Sequence, residues 1–241
     1  MQILVDTHTH TNASAHAYST LEENVRRAKE VGLEAIAMTN HATATPDSPH
    51  IWHFSNAPKC IPRDINGVKI LFGAELSILD EDGSVDLPPH VLSSLDVVIA
   101  SMHRDAFTPA TRKIHTQAYL NVLDNPFVDI IGHSGTPDFE YNVDQVLAKV
   151  KKENKMIEIN NASHLNRKGS NENCVHIAKR CAEMGIYVVV GSDAHFSAHV
   201  GDFTEALNML HEINFPEELV ANTDLKKFLS VLRKRKMIVG L

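Results

Sequence analysis

Three observations in the sequence predict an α/β fold in which about seven parallel strands alternate with helices. Short apolar runs recur along the chain, helical patterns separate them, and most runs are nearly continuous in hydrophobicity instead of alternating, as strands covered on both faces should be. A length of 241 residues suits one barrel built from strand-helix units, so residues 1–241 are expected to form a single domain.

The first run, Ile3 to Val5, leads straight into DTHTHTNASAH. Thr20 and Glu23 form a capping box for the helix LEENVRRAKEVG, and Gly32 stands where that helix should stop. The second run is AIAM, 35 to 38. Residues 42 to 67 break the rhythm and, being rich in Pro, His, Asp and Asn, are expected to form a long irregular active-site loop with no core of its own. Further strands are expected at KILFGAE (69 to 75), VVIAS (97 to 101), VDIIG (128 to 132), MIEIN (156 to 160) and IYVVVG (186 to 191). Amphipathic helices fill 111 to 123, 143 to 154, 172 to 184, 203 to 213 and 224 to 234. The run RKRK, Arg233 to Lys236, closes the last helix as a solvated face. Right-handed βαβ connections follow from the alternation.

Composition excludes several function classes. A net charge of −7 argues against extended nucleic acid as a partner. No apolar stretch approaches the roughly 18 residues that span a bilayer, so no membrane association is expected. The start, MQILVDTHTH, carries no secretory pattern, and three cysteines (Cys60, Cys174, Cys181) without a CxxC pair fit a reducing compartment. A cytoplasmic location is the expectation. Cys174 and Cys181 lie two turns apart on one helix face and are expected to pack in the core. Nothing in the sequence indicates an oligomeric state.

The chemistry sits at the strand ends. The first strand runs into His8 and His10, the second into His41, the third into Glu75, the fourth into His103, the fifth into His133 and the seventh into Asp193 and His195. The sixth ends in NNASH, with Asn160, Asn161 and His164. In a parallel barrel these ends share one face and converge on one cavity. The spacing of His8 and His10 puts both imidazoles on one side of an extended segment, and Asp193 and His195 repeat it. Imidazoles mixed with carboxylates make a poor apolar plug and a good set of metal donors. With His16 added, nine candidates exceed what one tetrahedral ion uses, so two or three ions are implied.

The motifs DTHTHTNASAH, NH after the second strand, GAE, SMH, GHSG and GSDAH, in this order, resemble the PHP (polymerase and histidinol phosphatase) family of metal-dependent phosphoesterases. The absence of a polymerase segment and the stretch EINNASHLNRKGSNENC are similar to its stand-alone phosphatases of the YcdX type. The resemblance implies a distorted (β/α)7 barrel with a trinuclear site at the C-terminal ends of its strands. The ions would be three divalent metals, usually zinc, with manganese or iron as alternatives. A first ion would take His8, His10, Glu75 and Asp193, a second Glu75, His103 and His133, and a third His16, His41 and His195. Asp6 is expected to accept from a histidine ring and fix its tautomer.

Phosphate-ester hydrolysis by a metal-activated hydroxide is the implied reaction, on a phosphorylated small molecule. Glu75, Asp193 and His195 are the expected catalytic residues, although no general acid is assigned. Arg104, Arg167 and Lys168 are the expected substrate-binding cations. His50, Trp52, His53 and Phe54 are expected at the substrate rim, with His90, His115, His176, His199 and His211 as bystanders. Competing readings are a phosphodiesterase or nuclease on short nucleotides and an inactive zinc-binding scaffold.

Overall fold

The computed structural model describes residues 1–238, and the side chains of these except His164, Asn166 and residues 233–238. The reading of the RKRK run as a solvated face, and of His164 as a strand-end donor, therefore lies outside the described residues. Along the chain come β1 (Val5–Thr9), α1 (Leu21–Glu30), β2 (Ala35–Met38), α2 (Trp52–Cys60), β3 (Asp64–Ile65), β4 (Val68–Ser77), α3 (Pro89–Leu92), β5 (Val97–Ser101), α4 (Arg112–Val122), β6 (Ile130–Ile131), α5 (Val143–Lys152), β7 (Met156–Asn160), α6 (Asn161–Asn166), α7 (Ser170–Met184), β8 (Val188–Gly191), α8 (Thr204–Glu212) and α9 (Leu225–Ile238).

Among the described residues, seven strands pair in parallel in the order β1-β2-β4-β5-β6-β7-β8, while β3 pairs antiparallel with β4 alone. These seven are the strands the sequence predicts. The sheet nearly closes into a barrel, and its last seam is stitched by single groups instead of a ladder. His10 N donates to Ala194 O and Asp193 N to His8 O, each at 2.9 Å. Lower in the seam, Asn222 donates through Nδ2 to Val5 O (2.8 Å) and Val190 O (2.7 Å), and its Oδ1 accepts from Val190 N at 3.0 Å. One buried amide thus satisfies backbone groups that two missing strand contacts would have left open.

Period-two alternation sorts the residues of each strand between the barrel interior and the surrounding helices. Val5, Ala35, Ala37, Leu71, Val97, Ile99, Ile130, Met156 and Val189 form one apolar cluster with Phe228 and Leu232 of α9. That helix closes the N-terminal end of the barrel. The alternate residues of the same strands, Ile70, Phe72, Val98, Ile157 and Val188 among them, face the surrounding helices in the larger core. Continuing upward on the inner side, Leu71 gives way to Glu75, and Met156 to Glu158 and Asn160, all buried.

Local signals explain the helices. The Thr20–Glu23 capping box is formed, with Thr20 Oγ1 accepting from Glu23 N at 3.3 Å and Glu23 Oε2 accepting from Thr20 N at 2.7 Å. Gly185 ends α7 at φ 66°, in the left-handed region that glycine enters at little cost. Cys174 and Cys181 are buried against this core, which pushes their thiols up to about 11 and about 12.

The expectation of an irregular 42–67 loop needs correction. The segment carries α2 and the β3 hairpin strand, and Phe54 and Ala57 of α2 are buried in the main core. Phe54 is a core residue and not part of a substrate rim. The helix was concealed by Pro58 inside it and by Ile51 at its N-cap, which offers no side-chain hydrogen bond.

Candidate metal centre

Glu75, near the top of β4, stands at the middle of the strand ends and is buried. Its Oε1 lies 2.8 Å from His133 Nε2 and 3.1 Å from His103 Nε2. Its Oε2 faces His41 Nδ1 at 3.1 Å, His8 Nε2 at 3.2 Å and His10 Nε2 at 3.6 Å. Asp193 Oδ1 lies 3.2 Å from His10 Nε2 and 3.5 Å from His8 Nε2. Five imidazoles therefore converge on one carboxylate.

The strands bring these groups together through local irregularities. Between Asp6 and Thr9, β1 spends one more residue than β2 does between Ile36 and Met38, a bulge that re-aims the side chains around His8. His133 (φ 23°) and Asp193 (φ 55°) occupy the left-handed region just past β6 and β8. Such conformations cost about 1–3 kcal/mol and concentrate at functional sites. The glycines of GHSG and GSDAH make room for their neighbours. A Cβ on Gly191 would lie 2.5 Å from Glu158 Oε1 and 2.8 Å from His8 Cβ, and one on Gly132 would run into Ser101 Oγ.

Three rings have Nδ1 engaged from behind. His8 Nδ1 donates to Glu158 Oε1 at 2.6 Å, His103 Nδ1 meets Ser77 Oγ at 3.0 Å, and His195 Nδ1 donates to the Asp193 carbonyl at 3.0 Å. With the proton assigned to Nδ1, each Nε2 is free to act as a donor atom. Glu158 also accepts from His133 N through Oε2 at 2.8 Å, so one carboxylate positions two candidate ligands. Sequence reasoning missed Glu158. It also assigned Asp6 to a histidine ring, whereas Asp6 accepts from the backbone of Ser192 and Gly201, at 3.0 Å each, and from His8 N at 3.4 Å. Asp6 fixes the chain at the seam, and Glu158 does the ring-holding.

Electrostatics are those of a site short of cations. Burial opposes charge on His8, yet the Glu158, Glu75 and Asp193 carboxylates outweigh it and hold its pKa well above the ordinary value. Burial would raise Glu75, but His8, His103 and His41 pull it well below the usual carboxylate range. Asp193 is likewise lowered against its burial, by His8, the adjacent His10 ring and Arg167. Burial lowers His41 to about 4 and, with His41 adjacent, carries His10 well below its usual value.

Around Glu75, buried His8 Nε2, both His10 nitrogens, His41 Nδ1, His195 Nε2 and Glu75 Oε2 have no hydrogen-bond partner. Buried polar atoms left this way cost about 1–3 kcal/mol each, so their concentration calls for a ligand. Nitrogen lone pairs and carboxylate oxygens aimed at common points, close but without hydrogen-bond geometry, are arranged as ligands of a shared cation. The donor set therefore fits divalent metal. Groups with donor atoms within 4.8 Å of one another are His8, His10 and Glu75; His41, Glu75 and His103; His10, His41 and His195; and His16, His41 and Asp47.

The last group departs from the expected third set of His16, His41 and His195. His16 is half exposed and its Nδ1 lies 3.0 Å from Asp47 Oδ2, while its ring stands 4.3 Å from that of His195. Asp47 belongs to the segment expected to be irregular, and sequence reasoning passed over it.

A cavity of about 490 Å³ adjoins Asp193 and His195 and is also lined by Arg167 and His199. Arg167 donates to Asp193 Oδ2 at 3.2 Å and to Asn160 Oδ1 and Ser163 Oγ at 3.3 Å. His199, expected to be a bystander, stands at this wall. Arg104 is instead drawn out to the surface by a two-pronged pair with Asp138, and Lys168 is exposed and does not line the cavity. Trp52 is exposed, and His53 Nε2 meets Asn40 Nδ2 at 3.0 Å. His115 is held in the core by Ala110 N and Glu140 O, a structural role.

Comparison with known proteins fits this architecture. The chain is 47% identical over its full length to a probable phosphatase of Thermoanaerobacter sp. strain X514, covering 98% of that protein. It is 45% identical over 98% of its length to a probable phosphatase of Clostridium novyi strain NT, covering 96% of it. The fold is shared with histidinol phosphate phosphatase of Lactococcus lactis, solved with zinc, L-histidinol and phosphate, at a TM-score of 0.63 and 16% identity, covering 90% of this chain and 95% of that one. A second structure of this fold, from Listeria monocytogenes, gives 0.60 at 18% identity, covering 82% of this chain and 97% of that one. The family model described as the PHP domain matches residues 6–162, which hold all the candidate ligands except Asp193 and His195. The chain belongs to the PHP domain family.

Proposed function

We propose that the chain is a metal-dependent phosphatase that hydrolyses a phosphomonoester of a small molecule. The carrying observation is the convergence of five imidazoles on Glu75, two of them also facing Asp193, with buried donor atoms left unpartnered. The phosphatase names of its relatives and the zinc and phosphate of the Lactococcus structure support the reading.

His8, His10, His16, His41, Glu75, His103, His133, Asp193 and His195 are the proposed ligands, a set large enough for three divalent ions, with zinc preferred by the imidazole-rich part. Such ions supply an acidified water and neutralise phosphoryl oxygens. Glu75, the carboxylate on which five of these imidazoles converge, would be the anionic ligand at the middle of the set. Glu158 and Ser77 hold the His8 and His103 rings with Nε2 inward. Arg167, at the cavity wall, is suited to pair with phosphate oxygens. In the overall reaction a water oxygen bonds to phosphorus, the ester P–O bond breaks, and a proton from that water ends on the leaving alcohol.

Elemental analysis of the purified chain should find about three transition-metal ions per molecule, and p-nitrophenyl phosphate should release phosphate. No bound metal, and no release with added Zn, Mn or Mg, would overturn the reading. Faster cleavage of bis(p-nitrophenyl) phosphate would replace it with a diesterase.

A further inference from the structure

The cavity beside the donor cluster has a second wall that phosphate binding leaves unused. Tyr18, Leu165 and Phe196 line it and are 74%, 62% and 49% exposed, in a fold that buries most of its large apolar side chains. Their grouping is built in. Tyr18 N donates to His195 O at 2.7 Å, Phe196 follows His195 directly, and Ser197 N donates to Ser19 Oγ at 2.9 Å, so both aromatic residues are fixed to the segment that carries a candidate ligand. Leu165 stands two residues before Arg167, the cation that joins this wall to Asp193. Among the described residues neither Tyr18 nor Phe196 stacks on another ring, and at about 490 Å³ the space falls within the size of small-ligand pockets.

An ester whose phosphate sits at the donor cluster and Arg167 has this cavity available for the rest of the molecule. We propose that the Tyr18–Phe196–Leu165 wall is a leaving-group subsite for a planar aromatic ring, which selects phosphomonoesters of ring-bearing alcohols, such as nucleosides, over plain sugar phosphates. The proposal rests on the phosphatase reading and deepens it. Stacking and desolvation reward a flat ring against exposed aromatic side chains, and give much less to a hydroxyl-covered sugar.

Adenosine 5′-monophosphate and ribose 5-phosphate make the test, because both lose a primary alcohol and differ only in the base. With the metal-loaded full chain, KM should be about tenfold or more lower for the nucleotide, at similar kcat, a difference of the size base stacking supplies. That ratio should collapse in Tyr18→Ala/Phe196→Ala and persist in Tyr18→Phe, which keeps the ring. Equal KM values in the wild type, a ratio retained in the double variant, or hydrolysis of p-nitrophenyl phosphate without hydrolysis of either ester would overturn the subsite and leave the phosphatase reading standing. Calorimetric titration with adenosine needs no turnover. Binding to the wild type and not to the double variant supports the subsite even in a chain that cleaves no ester, and absence of binding to the wild type overturns it.

Discussion

The two ends of the barrel are made from the same seven strands and obey opposite rules. At the N-terminal end Leu71, Val97, Ile130, Met156 and Val189 meet Phe228 and Leu232 of α9, a closed apolar cluster. A few residues further along the same strands, the inner positions become Glu75, Glu158 and Asp193, surrounded by imidazoles with unpartnered nitrogens and by two residues at positive φ. One end is stabilised by burial alone. The other is buried equally well but leaves polar atoms without hydrogen-bond partners, so folding free energy held in the first end supports unmet polar demand in the second. Stability and metal-binding chemistry are thereby separated along a single direction, and each end is expected to respond to substitution without the other.

The strongest perturbation is Glu75→Ala. It removes the anion common to the imidazoles and should cut phosphatase activity by about 10²–10³-fold or more, the scale of losing a central electrostatic group, with bound metal lost in elemental analysis. Retained metal and activity would deny Glu75 its place. Phe228→Ala acts at the opposite end and should destabilise by about 3–5 kcal/mol in urea unfolding, while the folded fraction keeps its metal stoichiometry. A change in stoichiometry would show that the two ends are coupled. Glu158→Gln lies between these in character. It keeps the shape but weakens the hold on His8 Nδ1, and should lower metal affinity by about 10–100-fold with occupancy restored at high metal concentration. Smallest is Thr20→Ala, which removes the cap of α1 and should cost about 1 kcal/mol of stability without altering metal affinity.

How much of this was legible in the sequence follows from range. His8, His10, Glu75, His103, His133 and Asp193 announce themselves because each stands at the end of an apolar run, and parallel winding sends all such ends to one face. Glu158 was overlooked because it sits inside MIEIN and not after it. A signal was present, since an acid between Ile157 and Ile159 occupies the inward period of a buried strand and needs a partner there. Asp47 and Phe54 were obscured by a segment whose helix contains Pro58 and lacks a capping side chain. Asn222 had no local signature at all: its work is to bond Val5 and Val190, far away in sequence, across a seam that exists only once the barrel closes.

The cation cluster is the central claim, and anomalous diffraction at the zinc edge from crystals of the zinc-loaded chain tests it most directly. The account predicts peaks beside the Glu75 carboxylate, within bonding distance of His8, His10, His103 and His133. Well-ordered crystals with no peak there, or with zinc bound only elsewhere on the molecule, would contradict it.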